Sequence, residues 1–548
     1  MTSRRILKSL TGLKSLTAFL FLTAMTPPAM AAAPAEMKEM AAANVEANAK
    51  LIQQMVDQVF SYAEPGFQEI RTSEYLTGIL AKNGFKITKG VAGIPTAFTA
   101  TWGDGGPLIA LGSDIDDLRG LSQYPGIAKP TPMLDGAPGH GEGHNSGMPL
   151  QIAAALAVKA VMEKNHIKGR LMLWPGVAEE LLGSKAFYVR DGVFKGVDAC
   201  IFVHVGNGFG TSWGASNSTG LVSVEYTFKG RTAHAAAAPW DGRSALDGVE
   251  LMDVGWNFRR EHLHVSQRSH YIITNGGDQP NIVPGEASVW YFFREHDFDS
   301  VKDLYETGNT IAQAAAMMTG TTVTHRLVGE AAPYYGNRPL AELAQANIEA
   351  VGMPKWTAND QAFAKSVQVA NNLKVTPLQD TVQKLEGPRV GESTGGASDD
   401  IGDITWTVPT ITIRYPSNIP SSQAHNIIAA MTMATPIAHK GVVSGAKAVA
   451  MTVLDLMTTP EAVTAARDFF TNVETKDQKY VSMLSAEDVP DIHRNDELMT
   501  KMRPAMEKFY YNSAKYASYL DQLGINYPDG TTKAPLPSSK LSGPPTTN

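Results

Sequence analysis

Short apolar runs alternate with longer helical patterns along most of the chain. The runs that have the length of buried strands and end at turn residues are Pro107–Asp114, Arg170–Pro175, Ala199–Val205 and Thr410–Arg414. Ala- and Leu-rich stretches of helical length lie at Ser146–Lys164 and Ala438–Met457. Because strands that alternate with helices form largely parallel sheets covered by helices, this pattern predicts an α/β layered domain.

The middle of the chain has a different pattern, in which the first strand alternates between apolar and polar residues. The predicted elements are, in order, strand Leu221–Lys229, helix Ser244–Arg260, strand Ala287–Arg294, helix Ser300–Met318 and strand Thr321–Leu327. This order predicts a compact α+β insert with borders near residues 219 and 335. Segments 36–218 and 336–530 would then form the α/β domain together.

The first 31 residues have the pattern of a secretory signal peptide. Four basic residues precede a short apolar stretch, Leu16–Met25, and the small residues of Ala29–Ala31 offer a cleavage site. The stretch is too short to span a bilayer. We therefore expect a bacterial exported protein, periplasmic or secreted, and the sequence leaves open whether a general or a twin-arginine route carries it.

The rest of the chain is expected to be soluble after this cleavage. The sequence after residue 31 has no run of 18 apolar residues, so no membrane contact is predicted. Residues 533–548 are rich in Pro, Ser and Thr and are predicted to form a flexible tail.

Composition narrows the possible functions. The 548 residues are 43% hydrophobic and 18% charged, which is typical of globular proteins. With 47 basic and 54 acidic residues the formal net charge is −7, which argues against a nucleic-acid-binding surface. The single cysteine, Cys200, excludes an intrachain disulfide framework and a zinc site made of cysteines alone.

Acidic and imidazole residues cluster just after the predicted strands. They are Asp114, Asp116 and Asp117, then His140, Glu142 and His144 in a Gly-rich loop, then Glu179 and Glu180, then His204 and His425. Each alone is ordinary, because a strand-end Asp often caps a helix and a Glu pair often begins one. Together, carboxylates and imidazoles without a thiolate suit Zn, Mn or a similar divalent ion.

The adjacent pair Glu179 and Glu180 carries a mechanistic implication. One carboxylate could bind a metal while its neighbour faces the water that the metal activates. That neighbour would accept the proton of the water and pass it to a leaving nitrogen. The pattern therefore indicates metal-assisted hydrolysis of an amide bond.

Several motifs resemble one known family. The segments GSDIDD (112–117), PGHGEGHNSG (138–147) and GRTAHAAAAPWDGRSAL (230–246), and the late AHN (424–426), are similar to dinuclear metallopeptidases and amidohydrolases of clan MH, of the aminoacylase and hippurate hydrolase type. The run SDDIGD (398–403) and the segment IAHKG (437–441) are shared with its aminobenzoyl-glutamate hydrolase B-subunit group. The resemblance implies a three-layer α/β sandwich with a mainly parallel mixed sheet, and an inserted ferredoxin-like lid that dimerises.

The resemblance also implies roles for single residues. The metal ligands would be Glu142, His144, Glu180, His204 and His425, holding two divalent ions such as Zn, Mn, Co or Ni. Glu142 stands where this branch usually has a metal-bridging Cys, so it either bridges the ions as a carboxylate or marks a weakened or single-metal site. Glu179 would be the general base of an attack by a metal-bridging hydroxide, and Asp116 would orient a ligand.

The insert contributes the remaining predicted site residues. His234 matches a histidine that in relatives polarises the scissile carbonyl, often from the partner subunit of a homodimer. Asn281 and Arg294 resemble the residues that hold the substrate carboxylate, a task that suits a bidentate guanidinium. The expected enzyme is a carboxypeptidase- or aminoacylase-type hydrolase of an N-acyl amino acid or short peptide with a free carboxylate.

Two alternatives stay open at this point. The chain could be a non-catalytic periplasmic binding protein on the same fold, since a fold does not imply a function. The G-x-S-x-G match at 391–395 could instead mark a serine hydrolase, although no apolar strand precedes it.

Overall fold

The computed structural model of the protein describes residues 32–391 and 393–540. The predicted signal peptide, residues 1–31, lies outside the described residues, as do residues 541–548 of the predicted tail. Residues 533–540 form neither helix nor strand, and the carbonyl of Ser539 accepts a hydrogen bond from the Asp135 amide at 2.8 Å.

The described strands and helices follow the predicted alternation. The strands are β1 (Lys86–Lys89), β2 (Phe98–Asp104), β3 (Leu108–Asp114), β4 (Gly169–Gly176), β5 (Ala199–Gly206), β6 (Gly210–Thr211), β7 (Gly214–Ala215), β8 (Gly220–Lys229), β9 (Arg268–Asn275), β10 (Glu286–Glu295), β11 (Thr322–Ala331), β12 (Tyr335–Gly336) and β13 (Thr410–Pro416). The helices are α1 (Ala35–Ala47), α2 (Ala49–Tyr62), α3 (Ile70–Lys82), α4 (Gly147–Asn165), α5 (Lys185–Arg190), α6 (Ala245–Arg259), α7 (Phe298–Thr319), α8 (Arg338–Val351), α9 (Ala358–Ala370), α10 (Ile401–Thr405), α11 (Ile427–Ala430), α12 (Pro436–Thr458), α13 (Pro460–Phe469), α14 (Asp496–Met506) and α15 (Tyr519–Leu523).

The larger sheet has the strand order β1-β2-β4-β3-β5-β13-β6. The four central strands β4, β3, β5 and β13 are parallel, and β1, β2 and β6 pair antiparallel at the two sides. The central strands are the four apolar runs predicted from the sequence, and nearly all their residues are buried, as expected for parallel strands covered on both faces. The predicted α/β fold class is confirmed.

The helices α4 and α12 pack on each other and against the central strands. Among the described helices, α12 is long and apolar enough to cross a membrane, with a mean hydropathy of 1.3 over 18 residues. In the structure, 83% of that window is buried inside the protein. A core helix that is covered on all sides is apolar all round, which explains the composition of α12 without a bilayer.

A tryptophan packs closely over a glycine at the centre of the large sheet. The Trp174 ring stacks on Phe202 with centroids 5.7 Å apart and meets Phe194 edge to face at 5.1 Å. A Cβ atom at Gly112 would lie 2.2 Å from this ring, so the strand β3 needs a glycine there. The aromatic cluster thereby holds β3, β4 and β5 together just below the ends that carry the acidic residues.

The insert is a four-stranded antiparallel sheet with the order β11-β8-β10-β9, packed against α6 and α7. Its strand and helix order, β8-α6-β9-β10-α7-β11, is that of the expected ferredoxin-like insert. The predicted borders near 219 and 335 enclose this sheet. Its core includes Trp256, Tyr291 and Phe293, whose aromatic rings contact one another.

The sequence analysis missed β9, and the prediction of three strands in the insert is therefore wrong. The strand is an edge strand, and most of its residues from His270 onward are exposed. Its apolar residues Ile272 and Ile273 are neighbours in the sequence, so they break the period-two alternation that identifies a half-buried strand. Only the first half of the strand faces the core of the insert, where Ser269 is buried and Tyr271 stacks on Tyr291, and its exposed second half has no buried residue to impose that pattern.

The chain beyond α13 ties the insert to the larger domain. Leu484 lies in the core of the insert, and the amide of Met483 donates to the buried Glu330 carboxylate of β11 at 2.8 Å. The Tyr480 hydroxyl lies within hydrogen-bond distance of two carboxylates, 3.0 Å from Glu330 and 2.7 Å from Asp403 of the larger domain. This segment therefore joins the end of the insert sheet to α10.

A buried acid after α13 predicts a pH-dependent stability. Both carboxylate oxygens of Glu474 are buried without a hydrogen-bond partner among the described residues, and burial raises its pKa from 4.5 to about 9. The stabilisation that this raised pKa represents is fully present below about pH 4.5 and is lost as the pH rises toward 9. Glu474→Gln, which is neutral at every pH, should therefore raise the melting temperature by a few degrees at pH 8 and change it little at pH 5.

Thermal unfolding of the wild type and of Glu474→Gln at pH 5 and pH 8 tests this expectation. The matched control is Glu163→Gln, whose side chain is 54% exposed in a surface ion pair. An equal change at pH 5 and pH 8 for Glu474→Gln would contradict it.

Candidate metal centre

The acidic and imidazole residues predicted to act together meet at one edge of the large sheet. Asp116 lies two residues after β3, and Glu179 and Glu180 follow β4 after two intervening residues. His204 lies near the end of β5, and His425 is in the loop after β13. Because the four strands are parallel, their carboxyl ends face the same edge.

Glu142 is at the middle of the cluster. Its Oε2 atom lies 3.0 Å from Nε2 of His425 and 3.9 Å from Nε2 of His144, and its Oε1 atom lies 3.5 Å from Nε2 of His204. The Oε2 atom of Glu180 lies 3.1 Å from the same His425 nitrogen. The structure thus brings together all five side chains that the sequence analysis predicted as metal ligands.

Two unsatisfied atoms indicate what the cluster would bind. Nε2 of His144 and Oε1 of Glu180 are buried and have no hydrogen-bond partner within the described chain. Burying a polar atom without a partner costs free energy of folding. Two carboxylates and three imidazoles are suitable ligands for a divalent cation, which would satisfy both atoms. The residues present therefore fit a metal site.

The charges of the cluster depend on one another. Burial alone would raise the pKa of Glu142, but its contacts with His425, His204 and His144 hold that pKa well below the usual range. Burial is the main cause that raises the pKa of Glu180 well above its ordinary value. Burial and the Arg414 charge lower the pKa of His204 to about 4, which favours the neutral imidazole that binds metals.

Asp116, predicted from the family pattern to orient a ligand, contacts two of these groups. Nδ1 of His144 lies 3.2 Å from the Asp116 carbonyl and 3.5 Å from its carboxylate, so the other ring nitrogen points into the cluster. The Asp116 carboxylate also accepts the amide proton of Glu180 at 3.0 Å.

The turn that carries the Glu pair is held in a strained conformation. Ala178 and Leu182, on either side of the turn Glu179–Leu181, have φ values of 53° and 52°, which non-glycine residues rarely adopt. The buried carboxylate of Glu69 accepts the Ala178 amide at 2.9 Å and fixes the start of the turn. Sequence analysis gave no signal for Glu69, which lies just before α3 and far from the predicted strand ends.

Glu179 lies beside the ligand cluster and is itself buried. On one side, its carboxylate lies within 4.8 Å of potential ligand atoms of His144 and Glu180. On the other side, it lies within the same distance of carboxylate oxygens of Asp399 and Asp400. Burial and then the charges of Asp399 and Asp114 raise its pKa well above the ordinary value. A carboxylate with a raised pKa beside a cation site has the properties of a proton acceptor.

A buried lysine that the sequence analysis missed balances these acids. Lys185 Nζ is completely buried, 2.6 Å from Asp114 and 3.6 Å from Asp399, and it also contacts Asp400. The Asp400 carboxylate accepts the Lys185 amide at 3.1 Å and so fixes the start of α5. A Cβ atom at Gly176 would lie 1.9 Å from the Asp114 carboxylate, so the close approach requires glycine there.

The predicted site residues of the insert separate into two groups. His234 and Asn281 lie on adjacent exposed segments, where the Ala235 amide donates to the Asn281 carbonyl at 3.0 Å, and neither side chain contacts the ligand cluster within the described chain. Arg294 is close to the site, and its Nη1 atom donates a hydrogen bond to Ser398 at 3.0 Å. Burial lowers the pKa of Arg294, and the charge of the nearby Glu179 opposes this shift. A single chain thus brings Arg294 to the centre but not His234 or Asn281.

The fold and this site define a metallohydrolase of the amidohydrolase and peptidase class. A family profile described as a peptidase dimerisation domain matches residues 217–317, which cover most of the insert. The chain is 36% identical over 437 residues to the B-subunit of p-aminobenzoyl-glutamate hydrolase of Escherichia coli (strain K12), a match that covers 75% of this chain and 90% of that protein.

Two further known proteins are similar to the chain. The chain is 28% identical over 384 residues to an Xaa-Arg dipeptidase of Mus musculus, covering 69% of this chain and 78% of that one. The solved structure of a putative aminohydrolase from methicillin resistant Staphylococcus aureus superposes with a TM-score of 0.55 at 16% identity, covering 77% of this chain and 100% of that one. The chain belongs to the M20 family of metallopeptidases and amidohydrolases, as the sequence motifs indicated.

The buried lysine predicts a large loss of stability when its charge is removed. Lys185→Met leaves the carboxylates of Asp114 and Asp400 buried without their cation, which should destabilise the protein by about 3–5 kcal/mol. The double variant Lys185→Met/Asp400→Asn should recover part of this loss because it removes one of the unpaired charges.

Denaturant or thermal unfolding measures both effects. The control is Lys168→Met, since Lys168 and Asp104 form an exposed pair whose loss should cost at most about 1 kcal/mol. A Lys185→Met protein as stable as the Lys168→Met protein would show that the buried cluster is not balanced by Lys185.

Proposed function

We propose that the protein hydrolyses an amide bond in an N-acyl amino acid or short peptide that bears a free carboxylate. The observation that carries the proposal is the convergence of five side chains, spread from residue 142 to residue 425, around the Glu142 carboxylate. The names of two relatives support the substrate class, because p-aminobenzoyl-glutamate and Xaa-Arg dipeptides both contain an amide bond next to an amino acid.

Glu142, His144, Glu180, His204 and His425 would hold two divalent ions, of Zn, Mn, Co or Ni. Such ions, when bound, polarise a carbonyl group and make a water molecule a nucleophile at neutral pH. The Glu142 carboxylate would bridge them in place of the usual thiolate. Its central position, within 3.9 Å of all three imidazoles, supports this role over that of a weakened site.

The protein's own groups would move the proton. Glu179 accepts a proton from the attacking water and passes it to the nitrogen of the leaving amine. Asp116 keeps His144 and the Glu180 backbone in place while this happens. Arg294, already beside Glu179, would hold the substrate carboxylate together with an Asn281 that comes, like His234, from a second chain.

The insert would complete the site as a homodimerisation domain. Its exposed surface includes Phe258 (73% exposed), Val265 (70%) and Ile272 (59%), and β9 is an edge strand whose outer side pairs with no other described strand. Such a surface favours association with another chain. His234, which its own chain leaves far from the ligands, would then polarise the substrate carbonyl in the partner's site. The Escherichia coli relative is named as one of a pair of different subunits, which makes a different second chain the competing outcome.

The two alternative functions have less support. A pure binding protein has no use for a buried Glu179 beside a cation site. The Ser393 hydroxyl of the serine hydrolase alternative donates to the Gly395 carbonyl at 2.7 Å and lies in a segment without strand or helix among the described residues. We also propose that residues 1–31 direct export to the periplasm.

Substitutions of the two adjacent glutamates should separate metal binding from proton transfer. Glu180→Ala removes a proposed ligand, so both metal content and turnover of N-acyl amino acids should fall. Glu179→Ala keeps the ligands, so metal content should stay near that of the wild type while turnover falls about 100-fold or more.

Elemental analysis and initial rates on the same preparations provide the test. The control Glu163→Gln, on the surface of α4, should change neither quantity. Full turnover by Glu179→Ala would contradict the assignment of Glu179 as the base.

Mixing two inactive variants tests whether His234 acts across a dimer. His234→Ala and Glu180→Ala proteins each lack one part of every site, but a mixed dimer contains one site with both parts. Activity should therefore rise toward about a quarter of the wild-type value after subunit exchange, which native mass spectrometry verifies. Absence of any rise in a verified mixed dimer would place His234 in the site of its own chain or outside the reaction.

A further inference from the structure

One tyrosine hydroxyl lies between two buried carboxylates where the insert sheet returns to the larger domain. Oη of Tyr480 is 3.0 Å from Oε1 of Glu330, on β11, and 2.7 Å from Oδ1 of Asp403, on α10. Both acidic residues are completely buried. Ala332, the first residue after β11, donates its amide to the other carboxylate oxygen of Asp403 at 3.3 Å. The three side chains therefore connect the insert, the larger domain and the segment after α13.

The hydrogen bonds around this tyrosine require one more proton than two ionised carboxylates provide. A phenol hydroxyl carries one hydrogen, so Tyr480 donates to one of the two carboxylates and not to both. The second carboxyl group has a favourable contact with the tyrosine oxygen only if it is protonated and donates its own hydrogen. With both acids ionised, one carboxylate would face the phenol oxygen with no hydrogen between them.

The other partners of the two acids indicate that Asp403 carries this proton. Glu330 accepts hydrogen bonds from the Ser482 hydroxyl and, at 2.8 Å, from the Met483 amide, and these bonds stabilise its ionised form. The carboxylate of Asp403 accepts only the longer bond from the amide after β11 within the described chain. Asp403 therefore donates to the oxygen of Tyr480, and the tyrosine hydroxyl donates to Glu330.

The charges that surround the two acids are negative and favour the protonated form. The charge of Asp400 acts on Asp403, and the charge of Asp488 acts on Glu330. Burial, followed by the charge of Glu330, raises the pKa of Asp403 well above its ordinary value. Burial also raises the pKa of Glu330. Burial and then the charges of the two acids raise the pKa of Tyr480 well above its usual value, so the tyrosine stays neutral.

We propose that Glu330, Asp403 and Tyr480 form a proton-dependent latch, which holds the insert to the larger domain at acidic pH and releases it as the pH rises. Loss of the shared proton leaves two ionised carboxylates beside one hydroxyl, and their repulsion separates the segment 480–484 from β11. Because Leu484 of this segment lies in the core of the insert, its release loosens that end of the insert sheet.

The direction of the pH dependence follows from the raised pKa of Asp403. Its contribution to the stability of the latch is complete below about pH 3.8, the ordinary pKa of an aspartate, and is lost as the pH rises through the higher pKa of the folded protein. The inference concerns the connection between two parts of the fold and does not depend on the proposed function. It is therefore tested without any substrate or metal ion.

Hydrogen–deuterium exchange of the amides of residues 481–484 measures the latch, with the rates expressed as protection factors so that the intrinsic rate at each pH cancels. All proteins carry Glu474→Gln, because Glu474, with a pKa of about 9, titrates in the same range. In this background, protection should fall about tenfold or more between pH 5 and pH 9, since a single proton contributes up to about tenfold per pH unit above its pKa.

Two substitutions remove the titration in different ways. Asp403→Asn mimics the protonated acid, because its amide group can donate to the tyrosine oxygen at every pH. Its protection should therefore change less than about threefold between pH 5 and pH 9. Tyr480→Phe leaves the two acids without a shared hydroxyl, so its protection should be low already at pH 5 and change little at pH 9. The matched control Asp104→Asn removes an exposed carboxylate that pairs with Lys168 and should keep the full pH dependence.

The amides of α12 report on the whole fold in the same samples. They should stay protected at both pH values, which separates local release of the latch from global unfolding. Equal protection of residues 481–484 at pH 5 and pH 9 in the background protein would overturn the proposal. A loss of protection that α12 shares, or that persists in Asp403→Asn, would overturn it as well. If Asp403→Asn does not fold, Tyr480→Phe decides, because a pH dependence as large as that of the background protein would exclude the latch.

Discussion

The parallel direction of four central strands is the constraint on which the rest of this structure depends. Because β4, β3, β5 and β13 run the same way, each delivers the loop that follows it to one edge of the sheet. Side chains more than 280 residues apart in the sequence, such as Glu142 and His425, therefore come within 3.0 Å. Reversing any one of these strands would carry its ligand to the opposite edge.

The same edge concentrates negative charge, and the fold must balance it. Buried carboxylates at Asp114, Glu179 and Asp400 lie within a few ångströms of one another, and the ligand carboxylates lie beside them. Lys185 neutralises the carboxylates of Asp114 and Asp400, whereas the carboxylates around Glu142 depend on imidazoles and on the cations that these donors suit. Asp114 links the two parts, because its carboxylate also lies within 4.8 Å of ring nitrogens of His144 and His204. The buried ammonium group of Lys185 stabilises the turn that carries the Glu pair, whereas bound metal ions would supply the chemistry of hydrolysis.

Sequence predicted the parts of the molecule whose pattern has a direct physical cause. The four central strands are buried on both faces, so they appear as continuous apolar runs, and the ligand residues follow them at turns. Lys185 could not be predicted, because lysine is usually exposed and only the three-dimensional meeting of Asp114 and Asp400 makes its burial favourable. Likewise the second half of β9 is exposed and has no buried residue to impose alternation, and α12 is apolar because the core covers it. The missed features are those that depend on contacts between distant segments.

The positions of the insert residues follow from where each lies on its sheet. Arg294 is near the end of β10, close to the larger domain, and so it reaches Ser398 and the neighbourhood of Glu179 within one chain. His234 and Asn281 lie at the other end of the sheet, in the paired segments that follow β8 and β9. The segment around Tyr480 and Met483 fixes β11 to the larger domain, which restricts a rotation that could carry His234 to its own metal centre. In the proposed dimer, a second chain docked along the exposed edge of β9 would supply such a histidine without that rotation, which is the reason we propose a shared site rather than closure within one subunit.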